Sequence, residues 1–264
     1  MAEDNRDVFL IAGGHRLRAR WYAPRSRPDQ TVIVLLHQGL GSVSQWRNFP
    51  ETLAETSGCA VVGYDRWGHG ASDPLVGDRS PSFLKEEAER TLPEVLDALG
   101  LDRVVLHGHS DGGSITLLAA AALGDRVQAA VSEAAHVFSE VNATDGFGEV
   151  EAAFATGDLR QRLARHHGDN VDTMFHGWVR IWRSPAMRDW QMTDHLGGIT
   201  CPTLVIQGTN DEHGSIAQVE AIAAGVSGPV ETWMVPGIGH SPHLEATQAV
   251  ADRCTAFLRR FSLA

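Results

Sequence analysis

The chain has 264 residues, of which 43% are hydrophobic and 21% charged, a length and balance suited to one large α/β domain with an insertion. Its formal charge is −11, from 33 acids against 22 bases, which argues against a nucleic-acid partner, because a phosphate backbone is held by clustered cations. No apolar run approaches the ~20 residues of a membrane helix, and Cys59, Cys201 and Cys254 are too scattered for a CxxC pair and read as free thiols.

The acidic start MAEDNRDVFL lacks the apolar stretch of a signal peptide, so the expectation is a soluble, cytoplasmic protein. DVFLIA (7–12) and RLRARWYA (16–23), joined by a GGH turn, predict an antiparallel hairpin at a sheet edge. The runs TVIVLLH (31–37), CAVVGYD (59–65), RVVLHG (103–108), VQAAVSEA (127–134), TLVIQG (203–208) and VETWMVP (230–236) follow. They are β-branched and apolar on both faces, the pattern of parallel strands covered by helices. Helical segments at 45–57, 83–99, 112–123, 215–225 and 244–260 alternate with them. The prediction is an α/β fold: a mostly parallel eight-stranded sheet with helices on both faces.

The rhythm breaks between 139 and 198, where no strand pattern appears. In VDTMFHGWVRIWRSP the apolar residues Val171, Met174, Phe175, Trp178, Ile181 and Trp182 recur at helical spacing. Asp158 and Pro185 read as helix starts. A loop of ~60 residues is too long for a compact domain. The expected division is therefore a core of 1–138 and 199–264 with a helical cap at 139–198.

Gly108-His109-Ser110-Asp111-Gly112 fits G-x-S-x-G between a strand and a helix. There the glycines allow a turn tight enough to expose a strained serine hydroxyl. A plain strand-to-helix turn has the same letters, so the partners decide. A serine nucleophile needs a base, and the base an orienting acid. Asp211 follows the strand TLVIQG, and His240 lies in the Gly-rich stretch PGIGHSPH. The order Ser, Asp, His with each residue past a strand end fits a nucleophile–acid–base set. Glu133 and Asp65 are the competing acids, and His243 the competing base. His37 reads as a structural imidazole bonded to nearby backbone. Arg180 and Arg183 read as a solvated face. The His166–His167 pair would point apart on a helix, and no H-x-x-x-H or Cys/His cluster exists, so no metal and no cofactor is expected.

On these motifs the chain resembles the α/β-hydrolases, of the capped esterase or C–C hydrolase type. HQGLGS (37–42) is similar to that family's oxyanion loop, YDRWGHGASD (64–73) to its D-x-x-G-x-G-x-S turn, and GTND and GHSPHLE to its acid and histidine loops. The SDGG elbow is similar to that of biphenyl-hydrolase-like amino-acid ester hydrolases. The resemblance implies a serine hydrolase of the carboxylesterase kind with Ser110 as nucleophile, His240 as base and Asp211 as orienting acid. It implies an oxyanion hole from the backbone N–H groups of Asp111 and Gly39. Gln38 stands where the family has glycine, so Gln38 or Leu40 are alternative donors. Asp111 either satisfies a helix start or, as the resemblance implies, binds a substrate amino group. Gln38, His109, His136, Phe138, Phe175, Trp178 and Trp182 are the candidate pocket residues. The expected partner is a small molecule, and the expected state a monomer or homodimer. C–C bond or amide hydrolysis on the same residues, and a ligand-binding receptor with little turnover, are the alternatives.

Overall fold

The computed structural model describes residues 7–140 and 146–264. Residues 1–6, most of the stretch read for a signal peptide, and 141–145 of the expected cap lie outside the described residues. Eight strands form one sheet: β1 (Asp7–Ala12), β2 (His15–Ala23), β3 (Val32–Leu36), β4 (Ala60–Tyr64), β5 (Val104–His109), β6 (Val127–Glu133), β7 (Thr203–Gly208) and β8 (Val230–Val235). Their order is β1-β2-β4-β3-β5-β6-β7-β8. β1 and β2 pair antiparallel, as do β2 and β4, and every pair from β4 through β8 is parallel. In β3, β4, β5 and β7 every residue is buried, because helices cover both faces and leave no polar side to the strands.

On one face lies α1 (Phe49–Ser57), with a helix over Thr247–Arg260, packed through Phe49, Leu53, Val250 and Phe257. The other face carries α2, which runs through Phe83–Glu86, a π-turn at Glu87–Thr91 and Leu92–Ala98, and α3 (Asp111–Leu123). The 83–99 pattern predicts one uniform helix, and the π-turn is the departure from it. Strand order reverses at β3: the chain steps from β3 to β4 on one side, then crosses over to β5 on the other side of β3. A crevice opens past the carboxyl ends of β3 and β5 at this switch point, where the chain leaves β3 as the loop 37–41 and turns from β5 into the next helix at Ser110.

Between β6 and β7 the described residues form α4 (Gly146–Thr156), α5 (Leu159–His167), α6 (Val171–Trp182) and short turns at Pro185–Arg188 and Thr193–Gly198. α4 to α6 bury a small apolar core of their own: Phe154, Leu163, Val171, Met174, Phe175 and Val179. No helix among the described residues is long and apolar enough to cross a membrane.

Candidate active site

β5 ends in a turn that puts Ser110 at φ 55° and ψ −119°, a conformation that a non-glycine residue holds only when its surroundings enforce it. A Cβ on Gly108 would fall 1.9 Å from the carbonyl oxygen of Gly112, and one on Gly112 would fall 1.9 Å from that of Leu36. Glycine is thus required at both positions, since backbone cannot retreat. The Ser110 N–H donates to the carbonyl of Glu133 at 2.8 Å, which ties the turn to β6. α3 starts at Asp111, so its first N–H groups point back toward Ser110.

Past β7, Asp211 accepts the N–H groups of His213 and Gly214 at 2.9 and 3.3 Å. The same Oδ1 lies 2.8 Å from Nδ1 of His240. Burial works to raise the Asp211 carboxyl. The hydrogen bond and charge of His240 outweigh it and hold the carboxyl below its ordinary value. The two loops are pressed together: a Cβ on Gly208 would lie 2.1 Å from the carbonyl of Ile238. Ser110 and His240 line one cavity of about 280 Å³.

That cavity brings together most of the sequence-predicted residues. Gln38, Gly39, His109, Asp111, His136, Phe138, Trp178 and Trp182 line it. Gly39 is closely hemmed, because a Cβ there would sit 2.1 Å from Trp178 Nε1 and 3.0 Å from Asp111 Oδ2. Phe175 is the correction. It is fully buried and stacks on Phe154 at 3.7 Å between ring centroids, one face of α6 being turned to α4 rather than to the cavity. Leu40, Glu140, Phe147 and Val150 also line the cavity. A single helical stripe in the sequence does not separate the face turned to α4 from the face turned to the cavity.

The competing residues are placed elsewhere. Asp65 accepts from Arg18 at 2.7 Å and from the N–H groups of Val43 and Ala71. His37 lies 2.7 Å from the Gln38 carbonyl. Arg180 and Arg183 pair with Asp78 and Glu151 at the surface. Glu133 holds His243 rather than His240. Its Oε1 accepts the His243 backbone N–H at 2.9 Å and lies 2.7 Å from Nδ1 of that ring, while Oε2 lies 3.1 Å from His107 Nε2. Burial pushes the Glu133 carboxyl up, but His243 and His107 outweigh it and hold it well below the ordinary range. His109 packs its ring against that of His243 at 4.7 Å between centroids, with Nε2 2.8 Å from the His240 carbonyl and Nδ1 3.3 Å from Gln38 Oε1. Ligating atoms of His109, Glu133 and His243 lie within 4.8 Å of one another. Both Glu133 oxygens and both His109 ring nitrogens are already engaged by hydrogen-bond partners, so a metal there would have to break those bonds first.

Asp111 is buried beside a cation that sequence spacing does not reveal. Arg66, 2% exposed, places Nη2 3.8 Å from Asp111 Oδ2. Burial still leaves the Asp111 carboxyl above its ordinary value, with Arg66 opposing that shift. Arg66 also donates from Nη2 to the carbonyls of His37 and Gln38, at 3.3 and 2.9 Å.

Comparison with known proteins agrees with the architecture. Residues 31–150 match the family model described as the alpha/beta hydrolase fold. A proline iminopeptidase of Lactobacillus delbrueckii subsp. lactis is 26% identical over 223 residues, 69% of this chain and 75% of that one. A 2-hydroxy-6-oxononadienedioate/2-hydroxy-6-oxononatrienedioate hydrolase of Dechloromonas aromatica is 28% identical over 206 residues, 68% of this chain and 70% of that one. The crystal structure of the enol-lactonase from Burkholderia xenovorans LB400 superposes with a TM-score of 0.74 at 22% identity, covering 96% of this chain and 100% of its own.

Proposed function

The chain belongs to the α/β-hydrolase superfamily, and from that premise we propose that it is a serine hydrolase cleaving a small carboxylic ester or lactone through an acyl-enzyme. The observation that carries the reading is the 2.8 Å Asp211–His240 pair sharing one cavity with a serine held at positive φ. His240, its Nδ1–H held by Asp211, takes the Ser110 proton at Nε2 as Oγ bonds to the acyl carbon. The carbonyl electrons move onto oxygen, which sits between the N–H groups of Asp111 and Gly39. The tetrahedral intermediate collapses, the alkoxide leaves with the proton from His240, and water repeats the sequence to free the acid. Asp211 stays ionised and stabilises the imidazolium. The helices within 146–198 act as the cap, with Trp178, Phe147 and Val150 walling the acyl site.

The cavity volume suits a compact, mostly apolar substrate. The enol-lactonase likeness carries the fold alone, whereas the named C–C hydrolase and iminopeptidase relatives favour a second reading, C–C or amide cleavage by the same three residues. Labelling with a fluorophosphonate, followed by a screen of p-nitrophenyl esters, lactones, aminoacyl anilides and dienoate substrates, separates these. Labelling at Ser110 with steady ester or lactone turnover is the expected result. Absence of labelling at Ser110 sinks the serine-hydrolase reading. A burst followed by near-zero turnover points instead to a receptor.

A further inference from the structure

We propose that His167 is a positioning residue for the hydrolysis: it sets the backbone loop that presents the oxyanion donor, so that loop is correctly set only while the helical segment between β6 and β7 is docked on it. The inference rests on the serine-hydrolase reading above. Its basis is a row of side-chain donors on four consecutive carbonyls. Arg66 holds those of His37 and Gln38. His69 Nε2 lies 3.0 Å from that of Gly39, and His167 Nε2 lies 3.1 Å from that of Leu40. Arg66 and His69 belong to the turn after β4, whereas His167 ends α5 and belongs to the helical segment.

The tautomer of His167 follows from its partners. The backbone N–H of Gly70 points at Nδ1 at 3.0 Å, so Nδ1 carries no proton and Nε2–H donates to Leu40. A peptide unit is planar, with its C=O and N–H opposed, so fixing one fixes the other. Holding the Leu40 carbonyl therefore aims the Gly41 N–H, which donates to the Gln38 carbonyl at 3.0 Å. That carbonyl belongs to the same peptide unit as the Gly39 N–H. Two rigid peptide units thus connect a cap side chain to the oxyanion donor. Asn170 docks the same corner, its Nδ2 donating to the carbonyls of Gly70 and Ser72 at 3.2 and 2.7 Å. His166 reaches Ser44 Oγ at 2.8 Å.

The test uses two isosteres that split the ring's two bonds. Glutamine at 167 reaches the Nε2 position and keeps the bond to Leu40; asparagine reaches only the Nδ1 position and keeps the bond to Gly70. Fluorophosphonate labelling rate, and kcat and KM for p-nitrophenyl butyrate, are measured with melting temperatures for wild type, His167→Gln and His167→Asn. The expected result is His167→Gln within ~3-fold of wild type. His167→Asn should be slower by ~10–100-fold in labelling and kcat, with KM changed less than ~3-fold, below the loss of a whole oxyanion donor. Equal rates in the two variants, or a loss in KM alone, overturn the positioning role while leaving labelling of Ser110 intact. Where His167→Asn fails to fold, Asn170→Ala decides. It touches neither the loop nor the cavity and should lower kcat by ~3–10-fold, and an unchanged kcat overturns the docking dependence. A wild-type protein that is not labelled at Ser110 overturns the underlying reading, and this proposal with it.

Discussion

Glu133 and His243 form a second buried acid–imidazole pair, 2.7 Å apart, three positions along from the pair that His240 makes with Asp211. The carbonyl of Glu133 accepts from Ser110, so one residue braces both the Ser110 turn and the loop bearing His240 and His243. Replacing it with glutamine keeps the shape and removes the anion. Glu133→Gln is expected to destabilise by ~2–4 kcal/mol at pH 7. The folded carboxyl lies well below its ordinary value, so its contribution is full above about pH 4.5 and is lost as pH falls further. Urea denaturation of both proteins should show the gap closing in acid. A gap independent of pH would remove the electrostatic account.

Ser110→Ala should abolish turnover of p-nitrophenyl butyrate, by at least ~10⁴-fold. Asp211→Asn should lower kcat by ~10³–10⁴-fold, because the imidazole loses the carboxylate that sets its tautomer. Glu133→Asp, by contrast, leaves that partner in place. If it costs as much as Asp211→Asn, the two acids have been assigned wrongly.

Gly112→Ala should prevent folding or cost more than ~4 kcal/mol, since its Cβ would meet the Leu36 carbonyl at 1.9 Å. Gly197→Ala, where nothing lies within 4 Å, should melt within a degree or two of wild type. Comparing their melting temperatures tests whether the elbow is as tight as described.

Burial pushes the His167 ring down to about 4, with the Leu40 carbonyl and the nearby His166 and Arg18 acting on it as well. The folded state therefore favours the neutral ring. Its contribution is complete above the unfolded value near 6.5 and declines as pH falls to about 4, by up to ~1.4 kcal/mol per pH unit. Stability of His167→Gln should fall less steeply over that window. Parallel curves would mean that the ring is not buried neutral.

Asp111 has its charge met by Arg66 at 3.8 Å before any substrate arrives. The ratio of turnover for an α-amino ester over its des-amino analogue should therefore be the same, within ~2-fold, in wild type and Asp111→Asn. A ratio that collapses in the variant would show that Asp111 binds the amino group.

The hairpin, the six parallel strands and the glycines around Ser110 are legible in the letters, because strand periodicity and tight-turn geometry act over a few residues. Phe175 was not, because residues of one helical stripe can face either a neighbouring helix or the cavity, and spacing does not say which. Arg66, His69 and His167 were equally hidden. Their work is done on backbone carbonyls brought close by strand order and by docking of the helical segment, and a carbonyl has no letter of its own.

The helices between β6 and β7 have an apolar interior of their own, centred on the Phe154–Phe175 stack. Residues filling that interior hold the unit together, and different ones, Phe147 and Trp182 among them, look into the cavity. Selection can exchange the second set without dissolving the first, so one catalytic scaffold can be refitted to new substrates by changes confined to a single wall.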